Sequence, residues 1–209
     1  MIYLAHLFGI IAFVLLLIWL LHYREGIEYG SNNALRVFNV HPFFMYSGFI
    51  FPAGEAMLAF RSIPSERKTR KIVHMALHLV ALVLGIIGLS AVFKFHDMRH
   101  YPNLFSLHSW IGIATFCLFG LQWVFGLVVF MLQAASVSTR EKVLPWHKVC
   151  GRALLFMAVC AAETGLMEKS SFLSSLGMLK PHQRQSNLIN FTGLAILFFG
   201  VYVNFSVGS

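Results

Sequence analysis

The sequence predicts an all-α integral membrane protein of six helices, with helices 2–5 forming a four-helix core. Three observations predict that class. Hydrophobic residues fill 58% of the 209 positions and charged residues 11%, more apolar surface than one soluble domain can bury. Apolar runs of about 20 residues, enough to cross about 30 Å of hydrocarbon, follow one another with short polar stretches between them. Four of the ten histidines then fall one to a run on four consecutive runs, where an ionisable side chain is costly and marks a site.

The first run, about 2–22, has no small-residue cleavage site after Leu20-Leu21-His22-Tyr23, so it reads as a retained helix rather than a signal peptide. Further spans are expected at about 40–60, 72–93, 107–132, 147–168 and 186–206, making residues 1–209 a single six-span domain. Six crossings place both termini on one side. The connection from Arg61 to Lys71 carries Arg61, Arg67, Lys68, Arg70 and Lys71, the densest positive cluster in the chain, and by the positive-inside rule it is cytosolic. The connection with Arg140 and Lys142, and both termini, are then cytosolic too. The remaining connections hold Arg24, Arg36, Lys94, Arg99, Lys169, Lys180 and Arg184, spread over longer stretches. The net charge of +8 therefore faces water and lipid head groups in the loops, and nucleic acid is not a partner. Cys117, Cys150 and Cys160 have no paired spacing, which argues against a disulfide framework or a zinc site.

His41 opens span 2, His74 lies near the start of span 3, His108 opens span 4 and His147 opens span 5. Spans 2 and 4 begin on the non-cytosolic side, spans 3 and 5 on the cytosolic side. His41 and His108 thus share one depth, and His74 and His147 the other. Two histidines level on facing helices can clamp a haem iron from both faces, leaving no open position. Two such haems stacked across the bilayer make a path for electrons. Gly48, Gly54, Gly85, Gly88, Gly112, Gly120 and Gly151 are expected to let helices and a flat macrocycle approach closely. His78, one turn beyond His74 on the same face, competes with it, and spacing alone does not choose between them. Respiratory cytochromes b, with two histidines 13 or 14 residues apart on each of two helices, offer a poorer match to four histidines on four helices.

Five stretches then become familiar: Phe38-Asn-Val-His-Pro42, Ala56-Met-Leu-Ala-Phe-Arg61, Lys71-Ile-Val-His-Met-Ala-Leu-His78, Ser106-Leu-His-Ser-Trp110 and Pro145-Trp-His147. With them the chain resembles the cytochrome b561 family of transmembrane ascorbate-dependent oxidoreductases over all six spans. The resemblance implies His74 rather than His78 as ligand and two non-covalently bound b haems. It also implies cytosolic ascorbate as donor, and monodehydroascorbate or ferric chelates as acceptors on the far side. A homodimer in a vacuolar or secretory-vesicle membrane follows from it, as does an N-terminus longer than one that begins almost inside span 1.

Ascorbate is an anion at neutral pH, and cations at a haem edge attract and hold it. Lys71 lies one turn before His74 and Arg140 two turns before His147. The resemblance makes Lys71 and Arg140 the cytosolic ascorbate site, with Lys71 catalytic and Arg61, Arg67 and Lys68 as further contributors. On the opposite side Phe95, His96, His100 and Tyr101 are read as a loop before His108. There His96, Phe95 and Tyr101 are expected to form a second organic-acid site, His96 exchanging a proton. Glu55 and Glu163 lie inside spans 2 and 5, either hydrogen-bonded between helices or on a proton path. The competing class is a non-redox transporter or scaffold whose histidines line a proton or metal path.

Overall fold

The computed structural model describes residues 1–208. Six helices are long and apolar enough to cross a membrane: α1 (Ile2–Tyr23), α2 (Ala34–Ser62), α3 (Arg67–Arg99), α4 (Leu107–Met131), α5 (Val137–Ser175) and α6 (Arg184–Gly208). Several run well past the expected spans. Hydropathy marks the stretch that lies in hydrocarbon, whereas a helix continues into water until its backbone finds a cap. The Asn33 side chain caps α2 through the Leu35 amide, Ser106 and Ser109 form a capping box on α4, and Ser136 caps α5 through the Thr139 amide.

This extension moves several residues from the loops in which they were expected. Arg67, Lys68, Arg70 and Lys71 form the opening turns of α3, and Arg140 and Lys142 lie in the first turns of α5. Phe95 and His96 close α3 rather than occupying a loop, with His100 as its left-handed cap at φ 54°. The histidines sit inside their helices, between one and ten residues from the start, instead of opening them.

Neighbouring helices in sequence pack in pairs, α2 on α3 and α4 on α5, while α1 lies against α6 and α6 against α5. The best-buried apolar side chains gather where α1, α2 and α6 meet, among them Leu16, Trp19, Leu20, Phe199 and Val203. Small residues permit that approach, because apolar helices in lipid associate by close packing rather than by expelling water. The Phe199 ring covers Gly54, and Tyr46 donates its hydroxyl hydrogen to the Gly9 carbonyl at 2.8 Å. His6 and Glu55 tie α1 to α2 at 2.9 Å, which gives Glu55 a partner between helices.

The connection between α1 and α2 is also fixed. The buried Asn39 side chain donates to the Arg24 carbonyl at 2.6 Å and to the Gly26 carbonyl at 2.7 Å. The turn it holds runs through left-handed Glu25 (φ 67°) and Gly26 (φ 102°). Pro42, next to His41, cannot donate within α2, and the helix widens into a π-helical stretch over Phe44–Ile50 directly afterwards.

Candidate functional site

Topology brings the four histidines together in the expected pairs. The ring centres of His41 and His108 are 6.1 Å apart, and those of His74 and His147 are 6.4 Å apart. A histidine nitrogen binds a first-row metal at about 2.0–2.1 Å and lies about 1.1 Å from its ring centre, so one metal held between two imidazoles separates their centres by about 6.3 Å. Both pairs match this spacing. Among the described residues no group of three or more His, Cys, Asp or Glu side chains gathers as a closed metal site, so the donor sets consist of two imidazoles each, which suits a haem iron whose other ligands come from the macrocycle.

Each histidine is braced by the helix beside it. Nδ1 of His41 donates to the Gly88 carbonyl at 3.0 Å, Nδ1 of His74 to the Ala56 carbonyl at 2.8 Å, and Nδ1 of His108 to the Ala161 carbonyl at 2.8 Å. A carbonyl only accepts, so the proton resides on Nδ1 and the Nε2 lone pair is left for a metal. His147 differs: Gln122 Nε2 lies 3.0 Å from its Nδ1 and donates to its backbone carbonyl at 2.8 Å. The bracing is reciprocal. α2 and α3 brace each other's histidines, as do α4 and α5, and each imidazole pair bridges one helix pair to the other. Along every helix the brace and the histidine are about 14 residues apart, which sets the two pairs about 21 Å from each other along the bundle at about 1.5 Å per residue.

Close approach to the histidines is made at glycines outside the expected set. A Cβ on Gly165 would meet the His108 ring at 2.8–3.4 Å, and one on Gly126 would meet His147 at 3.4 Å. Gly48, Gly54, Gly85 and Gly88 instead face the protein side chains Leu84, Phe199, Phe116 and Met45, so they serve helix packing. Among the others, a Cβ on Gly112 would meet no protein atom within 4 Å, which leaves room beside His108 for a flat ring. The second histidine of α3, His78, stacks edge-on to His74 at 4.4 Å with its buried Nδ1 lacking a hydrogen-bond partner.

At the end of the bundle nearest His74 and His147, Lys71 and Arg140 are half-buried, while Arg61, Arg67 and Lys68 are exposed. Lys71 precedes His74 by three residues and Arg140 precedes His147 by seven, so each lies on its histidine's side of the helix. Neither forms an ion pair among the described residues. At the other end Phe95, His96 and Tyr101 do assemble: Phe95 is 5.8 Å from Tyr101 and 5.7 Å from His96, and His96 is 6.3 Å from Tyr101, ring centre to centre. His96 Nδ1 donates to Asn103 Oδ1 at 2.8 Å. Phe95 packs on Phe38 at 4.9 Å, and Phe38 lies 6.3 Å from His41, so this cluster adjoins the His41/His108 pair.

Two cations near that pair were read from sequence as loop charges. Arg24 is 6% exposed and Lys169 8%. Burial lowers the proton affinity of the Arg24 guanidinium from its ordinary value, and Glu25 opposes that shift. Gln122, a lone amide within a span, carried a signal that hydropathy does not weigh. Gly126 and Gly165 carried none beyond being glycine.

A bundle of six spanning helices with imidazoles paired at two depths defines a class of membrane protein that holds redox metal centres in the bilayer. The model of the eukaryotic cytochrome b561 family matches residues 40–173, and the chain belongs to that family, whose members bind haem b. Over 202 residues it is 41% identical to a probable ascorbate-specific transmembrane electron transporter 1 of Oryza sativa subsp. japonica, covering 96% of this chain and 86% of that one. It is 40% identical over 201 residues to transmembrane ascorbate ferrireductase 1 of Arabidopsis thaliana, covering 96% and 84%. A transmembrane ascorbate-dependent reductase of Bos taurus is 38% identical over 204 residues, covering 95% and 78%.

Proposed function

We propose that the chain is an oxidoreductase that carries electrons across a membrane, from cytosolic ascorbate to monodehydroascorbate or a ferric chelate on the other side, through two b haems. One observation carries the reading: two imidazole pairs, at 6.1 and 6.4 Å, each spaced for one metal ion and placed at opposite depths of a six-span bundle. The names of the relatives supply ascorbate as the donor. A non-redox transporter has no need of two imidazoles level with each other and a metal's width apart.

His41 and His108 hold one iron, and His74 and His147 the other. Held by these histidine pairs, haem would supply reversible one-electron exchange. The carbonyls at Nδ1 of His41, His74 and His108 fix those rings and their tautomer, and Gln122 holds His147 in place. Lys71 and Arg140 bind the ascorbate anion at the cytosolic end, with Arg61, Arg67 and Lys68 raising its local concentration. At the far end Phe95 and Tyr101 give a second organic acid flat surfaces, and His96 exchanges its proton. The dense positive charge around Arg67–Lys71 supports a cytosolic position for that end and both termini, with the chain forming a homodimer in a vacuolar or secretory-vesicle membrane.

Rapid mixing of ascorbate with the purified haem protein tests the donor site. Lys71→Ala and Arg140→Ala should each raise the ascorbate concentration for half-maximal reduction rate about tenfold, as expected for loss of a charge-assisted hydrogen bond of about 1.5 kcal/mol. Wild-type rate and saturation in both variants would remove ascorbate from this end.

A further inference from the structure

Arg24 and Lys169 are two buried cations on the His41/His108 side of the bundle, and neither forms an ion pair among the described residues. Lys169 follows Gly165, which cradles His108, by one turn of α5, and its Nζ lies 3.9 Å from the centre of the Phe38 ring, one turn before His41 on α2. Arg24 Nε is buried without a hydrogen-bond partner, although the backbone that carries it is pinned by Asn39, two residues from His41.

Glu25 attracts Arg24 without forming an ion pair with it, and Glu168, next to Lys169 in sequence, forms no ion pair among the described residues. Glu25 accepts from Asn33 Nδ2 at 2.9 Å, and Glu28 pairs with Arg36 at 3.1 Å. Among the described residues the two ion pairs are Arg36–Glu28 and His6–Glu55, so neither involves Arg24 or Lys169. The Phe38 ring face returns to Lys169 only part of the hydration that burial removes. Two cations this dry and outside any ion pair call for an anion beside them.

We propose that Arg24 and Lys169 bind a propionate carboxylate of the haem held by His41 and His108. This rests on the haem assignment above. Lys169 lies one turn beyond the Gly165–His108 contact and over Phe38, one turn before His41, so a haem held by that imidazole pair would find these cations on its outward side. Together they anchor the macrocycle in rotation about its iron, which two axial imidazoles alone do not do. They also neutralise charge beside the iron and so favour its reduced form.

Redox titration of the purified haem protein, followed by optical spectra, tests the proposal. Arg24→Gln and Lys169→Gln should each shift the haem that is lost in His108→Ala toward the oxidised form by about tenfold, a fall of about 59 mV for one electron, while the other haem keeps its potential. Arg24→Lys and Lys169→Arg keep the charge but displace it, so they carry the test if a neutral variant yields no folded protein, and a measurable change confined to the same haem is expected. Unaltered potentials in all four variants overturn the proposal. So does an increase in the KM for the soluble acceptor with both potentials unchanged, which would assign the cations to substrate. Wild-type protein with fewer than two haems would instead defeat the assignment on which the proposal rests.

Discussion

At the scale of single residues, the account depends on how each imidazole is held. His41, His74 and His108 all direct Nδ1 at a backbone carbonyl, and His147 meets the Gln122 amide instead. Gln122→Glu removes the amide that donates to the His147 carbonyl, and a carboxylate turned from that carbonyl can accept from an Nδ1–H on His147, making that ring a stronger donor to iron. Redox titration should then show the haem of the His74/His147 pair with a lowered potential and the other unchanged. Gly165 offers a steric test. A methyl group there would sit 2.8 Å from His108 Cε1, closer than carbon atoms approach, so the ring must move. Gly165→Ala should cost more than half the haem of the His41/His108 pair, read from the haem-to-protein absorbance ratio, whereas Gly112→Ala, which meets no protein atom, probes the space left for the macrocycle. At this scale the four histidines were legible because ionisable residues in apolar runs are few. Their braces were not, because a backbone carbonyl on a neighbouring helix leaves no mark in the sequence.

At the scale of elements, hydropathy found all six helices and the ends of α1 and α4, but set the ends of α2, α3 and α5 too far inward, since capping and not polarity ends a helix. That difference matters for the site: Phe95 and His96 gain fixed positions on α3, and Lys71 and Arg140 gain helical registers relative to His74 and His147. Two local devices hold these elements. The Ser106–Ser109 capping box starts α4 immediately before His108. Ser106→Ala should lower stability by about 1 kcal/mol and make the haem of that pair the first to be released in a thermal denaturation followed in the Soret band. Asn39 closes the α1–α2 connection through two carbonyls. Asn39→Ala leaves both acceptors unsatisfied and should cost about 1–3 kcal/mol, with faster proteolysis at Glu25–Gly26. The motif around His41 contained Asn39, but only the folded turn shows what it binds.

At the scale of the whole molecule, alternation of spans was enough to pair the histidines, because adjacent helices in a membrane run in opposite directions. The same logic did not reveal that α1 and α6 pack together to form the most deeply buried part of the bundle, nor that Arg24 and Lys169, far apart in sequence, enter the interior near one imidazole pair. Those are tertiary facts that depend on which faces meet. The central claim is that two separate clamps, one at each depth, each hold a haem. Purified His41→Ala, His108→Ala, His74→Ala and His147→Ala proteins, compared with wild type by haem quantitation and low-temperature absorption spectra, test it most directly. The account predicts two low-spin b haems per wild-type chain, loss of the same one in His41→Ala and His108→Ala, and loss of the other in His74→Ala and His147→Ala. A single haem in the wild type, or one spectral component lost from His41→Ala and His74→Ala alike, would contradict it.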